Sequence, residues 1–137
     1  MARAGQTIEN PATGERITFV RTTADTGGEL LVMDSVWTRP GHCAPAHAHP
    51  EIEERWRVVS GRACFRIGDD EIDARPGDEV VAPPGITHVA WNPTDAEVRL
   101  RIEMRPALRW EEFVERLFAD PRSAPELLPE FSRELRV

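Results

Sequence analysis

Residues 41–61 read GHCAPAHAHPEIEERWRVVSG, a stretch that sets three of the chain's four histidines and three glutamates between two glycines. His47 and His49 are two apart, so in an extended chain their side chains leave on the same face, as two imidazoles must to converge on one ion. A carboxylate follows at Glu51, Glu53 or Glu54, and the strand that starts there chooses among them. Glu54, Trp56 and Val58 share one face; Glu53, Arg55 and Arg57 form the charged face opposite. Glu54 is therefore the carboxylate that points inward, as a ligand or a proton acceptor. The offset between His49 and Glu54 is odd, so the chain has to bend between them, and Pro50 supplies the break. The fourth candidate is His88, in PPGITHVAWN, where a Pro-Pro-Gly turn leads into a short strand and a second hairpin can bring the imidazole opposite the first pair. Three imidazoles and one carboxylate suit a divalent transition metal, with Fe, Mn, Ni, Co, Zn and Cu all open.

Around this stretch the chain is built of short strands. Residues 15–105 consist of apolar or alternating runs separated by turn signals about every ten residues, the rhythm of an all-β sandwich or barrel. RITFVRT, ELLVMDSVW, ERWRVVS, RACFRIG, DEVVAP, THVAWN and EVRLRIEMR are the predicted strands. The last is half buried, with Val98, Leu100, Ile102 and Met104 on one face and the charged residues on the other. After Pro106 the period changes: Trp110, Phe113, Val114, Leu117 and Phe118 recur at helical spacing up to Asp120-Pro121. That helix needs a surface to cover, on the barrel or on a second subunit, and a further helical turn is expected in APELLPEFSREL. The predicted organisation is a barrel domain over 1–106 and a helical extension over 107–137.

The spacing of these residues resembles the cupin superfamily. Gly41, His47, His49, Glu54 and Gly61 fill its first motif, and Gly77, Pro83, Gly85, His88 and Asn92 fill its second. Fifteen residues separate Gly61 from Gly77, as in compact single-domain bacterial cupins. The resemblance implies a double-stranded β-helix, or jelly roll, with a divalent metal held by His47, His49, Glu54 and His88, and a homodimer. It also implies that the glycines and Pro83 form the turns that aim the ligands, and that Asn92 closes the turn after its strand.

Composition narrows the function. The 137 residues suit one core. A formal net charge of −7 argues against nucleic acid or an anionic membrane as partner and favours a small molecule. The opening residues carry neither a signal peptide nor a spanning segment, so a cytoplasmic protein with reduced Cys43 and Cys64 is expected. The sequence has no lysine and no tyrosine, which excludes lysine-imine and tyrosine acid/base mechanisms. The missing tyrosine also speaks against the sugar-nucleotide epimerase and thiol dioxygenase branches of the cupins. Trp56, Met33, Trp37 and Met104 are the candidate substrate pocket, with Trp56 first because it shares Glu54's phase. Trp91 takes the phase opposite His88. His42 and Cys43 stand beside the ligands, Cys64 at a sheet or subunit contact, and Arg57 and Arg99 on a face expected to be exposed.

Three functions follow: a metal-dependent enzyme, oxygenase-like and acting on a small organic or aromatic molecule; a non-catalytic binder of a small molecule or metal; or a structural unit stapled by metal. Isomerisation, cyclisation or decarboxylation at a Lewis-acid metal is the alternative chemistry within the first.

Overall fold

A computed structural model describes residues 1–42 and 44–137, and His42 by its backbone. Cys43 and the His42 side chain lie outside the described residues. The strands are β1 (Thr7–Glu9), β2 (Arg16–Arg21), β3 (Leu31–Trp37), β4 (Gly41–His42), β5 (Glu53–Ser60), β6 (Ala63–Ile67), β7 (Asp70–Ala74), β8 (Glu79–Ala82), β9 (His88–Asn92) and β10 (Val98–Arg105). The helices are α1 (Thr23–Thr26), α2 (Trp110–Ala119) and α3 (Ala124–Glu130). Every strand pairing is antiparallel, in a six-stranded sheet of order β1-β2-β3-β10-β5-β8 and a four-stranded sheet of order β4-β9-β6-β7. The inner faces of the two sheets meet in one core, the arrangement of a double-stranded β-helix.

The seven strands expected from the sequence all form. β10 sits between β3 and β5 and buries Val98, Leu100, Ile102 and Met104, while outside it Arg101 makes two hydrogen bonds to Asp34. β7, which periodicity did not reveal, is a run of acids around one isoleucine. The β6–β7 hairpin creates it. Ile67 pairs with Asp70 across Gly68-Asp69, and Gly68 takes the positive φ (60°) that the first position of a type II′ turn requires. Ile72 and Ala74 then face in, while Arg66 and Arg62 meet Glu71 and Asp73 on the outer face. Gly61 is needed for a different reason: a Cβ there would lie 2.7 Å from the Glu97 carbonyl oxygen.

α2 covers this chain's own barrel. Val114 and Phe118 join the barrel core, whereas Phe113 packs in a second cluster with Leu127, Phe131 and Leu135. Glu111, in the first turn of α2, is buried. Its carboxylate accepts hydrogen bonds from the Thr23 amide and hydroxyl, so it fastens α2 to the start of α1. No described helix is long and apolar enough to cross a membrane.

Candidate metal centre and its cavity

His47 and His49 lie in the connection from β4 to β5, and His88 opens β9. Backbone bonds from His47 N–H to His88 O (3.0 Å) and from His88 N–H to His47 O (2.8 Å) set the two residues opposite each other. The Pro83-Pro84-Gly85 turn docks on the same segment, with the Gly85 amide donating to His49 O at 2.8 Å. After the break at residues 50–52, β5 turns Glu54 inward in phase with buried Trp56 and Val58. Ligand atoms of His47, His49, Glu54 and His88 lie within 4.8 Å of one another. Asn92 is buried and closes the turn after β9: its amide donates to Ala96 O and its oxygen accepts from the Thr94 amide.

Each imidazole presents Nδ1 to a backbone carbonyl: His47 to Pro45 O (2.7 Å), His49 to Glu134 O (2.9 Å) and His88 to Ile86 O (3.3 Å). A carbonyl only accepts, so the proton belongs on Nδ1 in all three rings and the Nε2 lone pairs are free to converge. His49 Nε2 stands 2.9 Å and His88 Nε2 3.3 Å from the same Glu54 oxygen, and His88 Nε2 is buried without a hydrogen bond. Several acceptors thus face one another, and a cation is what such a cluster lacks. A proton on His49 is a partial answer. Burial opposes it, but the Glu54 carboxylate outweighs burial and raises the His49 pKa. Burial likewise works to raise the Glu54 carboxyl, and the His49 and His88 imidazoles set against it overcome burial and hold the group at about 2. His47 is pushed down to about 4 by burial. A divalent transition metal would satisfy all four side chains together, so the donor set fits one.

Residues 133–136 form a strap behind the ligands. Ala48 and Arg136 exchange two backbone hydrogen bonds of 2.8 Å, Arg133 grips Glu51 with two of 2.9 Å, and Glu134 gives its carbonyl to His49. Aromatic rings close the sides: Trp110 stands edge-on to His49 at 4.7 Å between centroids, and Trp56 edge-on to His88 at 5.2 Å.

A cavity of about 390 Å³ opens from this cluster, within the usual size range of small-molecule sites. Its barrel side includes Met33, Trp37, Trp56 and Ile102, and its helical side Trp110, Phe113, Val114 and Phe118. Three of the four pocket residues suggested by sequence are therefore in the lining. Met104 is not; it is fully buried between Leu31 and Glu54 of the neighbouring strands. No arginine lines the cavity among the described residues.

The remaining candidates are elsewhere. Arg57 and Arg99 are exposed on the outer face of the six-stranded sheet, in a groove that also includes Arg101 and Asp34. Cys64 is a free, half-buried thiol beside Asp73, and Trp91 is half-buried on β9 with the phase opposite His88. Sequence reading missed Trp110 as a site residue, the Glu134 carbonyl, and two polar residues of the cavity wall, Asn10 and Glu15. Glu15 left a usable signal, because it shares the phase of Ile17 and Phe19, the inward residues of β2. Burial pushes its carboxyl up to about 7, against the Ser35 hydroxyl and the Trp37 indole beside it and with a contribution from the Glu54 charge.

Comparison with known proteins agrees with this architecture. The family model described as "Cupin domain" matches residues 37–104. No curated protein sequence matches the chain. Among solved structures, an RmlC-like cupin from Shewanella frigidimarina NCIMB 400 is 20% identical with a TM-score of 0.61, covering 79% of this chain and 91% of that one. An uncharacterised protein with a double-stranded β-helix domain from Klebsiella pneumoniae subsp. pneumoniae MGH 78578 is 23% identical with a TM-score of 0.56, covering 79% and 84%. A sugar phosphate isomerase of the cupin superfamily from Silicibacter pomeroyi DSS-3 is 22% identical with a TM-score of 0.55 over 65% of this chain, which spans only 59% of that protein. With both motif halves filled, the family match over the barrel and this shared fold, the chain is a small member of the cupin superfamily.

Proposed function

We propose that His47, His49, Glu54 and His88 hold a divalent transition metal and that the protein is a metal-dependent enzyme, oxygenase-like, acting on a small, uncharged organic or aromatic molecule. One observation carries the reading: three imidazoles, each with Nδ1 against a backbone carbonyl, converge with a buried carboxylate at the wall of a largely apolar cavity. A metal bound there supplies Lewis acidity or, if redox-active, one-electron chemistry. The chain's own residues do the rest. Trp56, Trp110 and Phe113 exclude water and offer aromatic faces to the substrate, and Glu54 serves as ligand or proton acceptor. The solved sugar phosphate isomerase is named for an anionic substrate, whereas here no described cavity residue is an arginine and two are glutamates. Away from the metal, that lining favours an uncharged substrate body. A homodimer in the cytoplasm, with residues 107–137 as an extension that completes the site, belongs to the same reading.

Glu15 favours a second chemistry, metal-assisted isomerisation or cyclisation, because a carboxyl that titrates near neutrality can move a proton within the cavity. Metal analysis of untagged protein beside His88→Ala, followed by anaerobic optical titration and exposure to O2, separates the two. Iron, copper or manganese that responds to O2 and is lost in the variant supports the oxygenase. Stoichiometric zinc or nickel without redox response moves the assignment to Lewis-acid chemistry or simple binding, and the absence of metal from both proteins overturns the ligand assignment.

A further inference from the structure

The cavity wall contains polar groups that the metal cluster does not use. Glu15 Oε2 accepts a hydrogen bond from the Ser35 hydroxyl at 2.6 Å, and its other oxygen has no hydrogen-bond partner among the described residues. Asn10, only 5% exposed, gives its side-chain oxygen to the Ala12 amide, which leaves its NH2 group unpartnered among the described residues at the cavity wall. Trp37 is 4% exposed, and its indole N–H lies buried beside the Glu15 carboxyl without closing a hydrogen bond of good geometry. Turn formation accounts for the Asn10 oxygen, and the amide group, which is not sealed from solvent, is open to a ligand at the cavity wall. Asn10 and Glu15 precede residues 37–104, where the family model matches.

We infer that Asn10 and Glu15 form a second binding subsite in the cavity, one that takes an uncharged oxygen function, a hydroxyl or a carbonyl, on a ligand whose body lies along the apolar wall. Only the idea that the ligand's other end reaches a metal rests on the proposed function. The Asn10 amide donates to such an oxygen, and Glu15 either donates to it or accepts from it according to protonation. A carboxylate or phosphate is disfavoured at this end, because Glu15 and Glu54 both line the cavity and no described lining residue is an arginine. The subsite would therefore select among apolar ligands by one oxygen, since a site built to hydrogen-bond a hydroxyl discriminates against the analogue that lacks it.

Two probes test the subsite: a naphthol, and the dihydroxynaphthalene that adds a second hydroxyl on the opposite ring. Their dissociation constants are measured by quenching of tryptophan fluorescence, for metal-free and zinc-loaded protein, in wild type, Glu15→Ala and Glu15→Gln. Wild type should prefer the diol by about 3- to 10-fold, the worth of one hydrogen bond. The preference should vanish in Glu15→Ala and persist in Glu15→Gln, which keeps a donor and an acceptor at that position. A wild type without the preference, or a Glu15→Ala protein that retains it, overturns the subsite. The metal arm fails separately. If zinc neither binds nor alters either affinity while the Glu15-dependent preference stands in metal-free protein, the proposed function falls and the subsite survives.

Discussion

The two ends of the cavity differ in how the chain builds them. At the end proposed to hold a metal, the three imidazoles each meet a backbone carbonyl, a glycine amide sits on the His49 carbonyl, and the fourth donor, Glu54, is turned in by β5. The far wall comes from the loop before β2 and from α2; hydrogen bonds fix Asn10, Glu15 and Glu111, and packing alone places its aromatic and aliphatic side chains. Backbone-held geometry depends on turns, and turns leave glycines and prolines at fixed distances in the sequence. Packed walls depend on shape, which many residue types can supply. The first kind of construction is specific for chemistry, and the second is free to change with the ligand.

The largest expected effect breaks the metal end alone. His88→Ala removes one ligand of four, and metal occupancy should fall from about one per chain toward zero by elemental analysis, while the far-ultraviolet circular dichroism stays that of a β protein. Its converse is Phe113→Ala, which removes a buried ring stacked on Trp110 and edge-on to Phe131. Unfolding by denaturant should lose about 3–5 kcal/mol, the usual cost of deleting a buried phenylalanine, while metal stoichiometry is unchanged. If Phe113→Ala also strips the metal, the two ends are one unit, joined through Trp110 and its contact with His49.

Legibility in the sequence followed the same division. His47, His49, Glu54 and His88 could be paired from spacing and strand phase, since side chains alternate along a strand and the inward face of β5 was readable from Trp56 and Val58. The strap at residues 133–136 could not, because what it gives to His49 is a main-chain carbonyl, which any residue at position 134 possesses. β7 was hidden for a related reason: its place comes from Arg66 on β6, from Arg62 just before it and from the Gly68 turn, not from its own pattern. Trp110 was visible as helix, but only the fold sets that helix edge against the histidines. Met104 shows the limit of phase: it points inward as expected, yet lies packed outside the cavity lining.

The strap offers a smaller effect that sharpens the comparison. Arg136→Pro deletes the N–H that donates to Ala48 O and should let residues 133–136 lift from the ligand segment. Freed of the Glu134 carbonyl, His49 loses the partner that fixes its tautomer, and metal affinity should fall by about 10-fold in competition with a chelator of known strength. Arg133→Ala, which cuts only the exposed pair with Glu51, should leave metal affinity unchanged. Equal losses in the two variants would mean that the strap acts through its surface charges.

The smallest effect concerns Glu15 and is one of pH. In the fold its carboxyl holds a proton up to about 7, against a reference of 4.5 for the same group in water. Between those values the native state keeps a proton that the unfolded chain has released, so this residue's contribution to stability declines as pH rises from about 4.5 to about 7. His47 and His49 titrate nearby and with opposing signs. His47, lowered to about 4, adds stability as pH rises toward 6.5, whereas raised His49 loses it above 6.5. Wild-type melting temperatures alone therefore do not isolate Glu15, and the informative quantity is the difference from Glu15→Gln, measured metal-free across the same range. That difference should move steadily in favour of the glutamine variant as pH rises, and level off above 7. A difference that is flat with pH would mean that Glu15 is already ionised at the acid end, and the far wall would then present a fixed negative charge to any ligand.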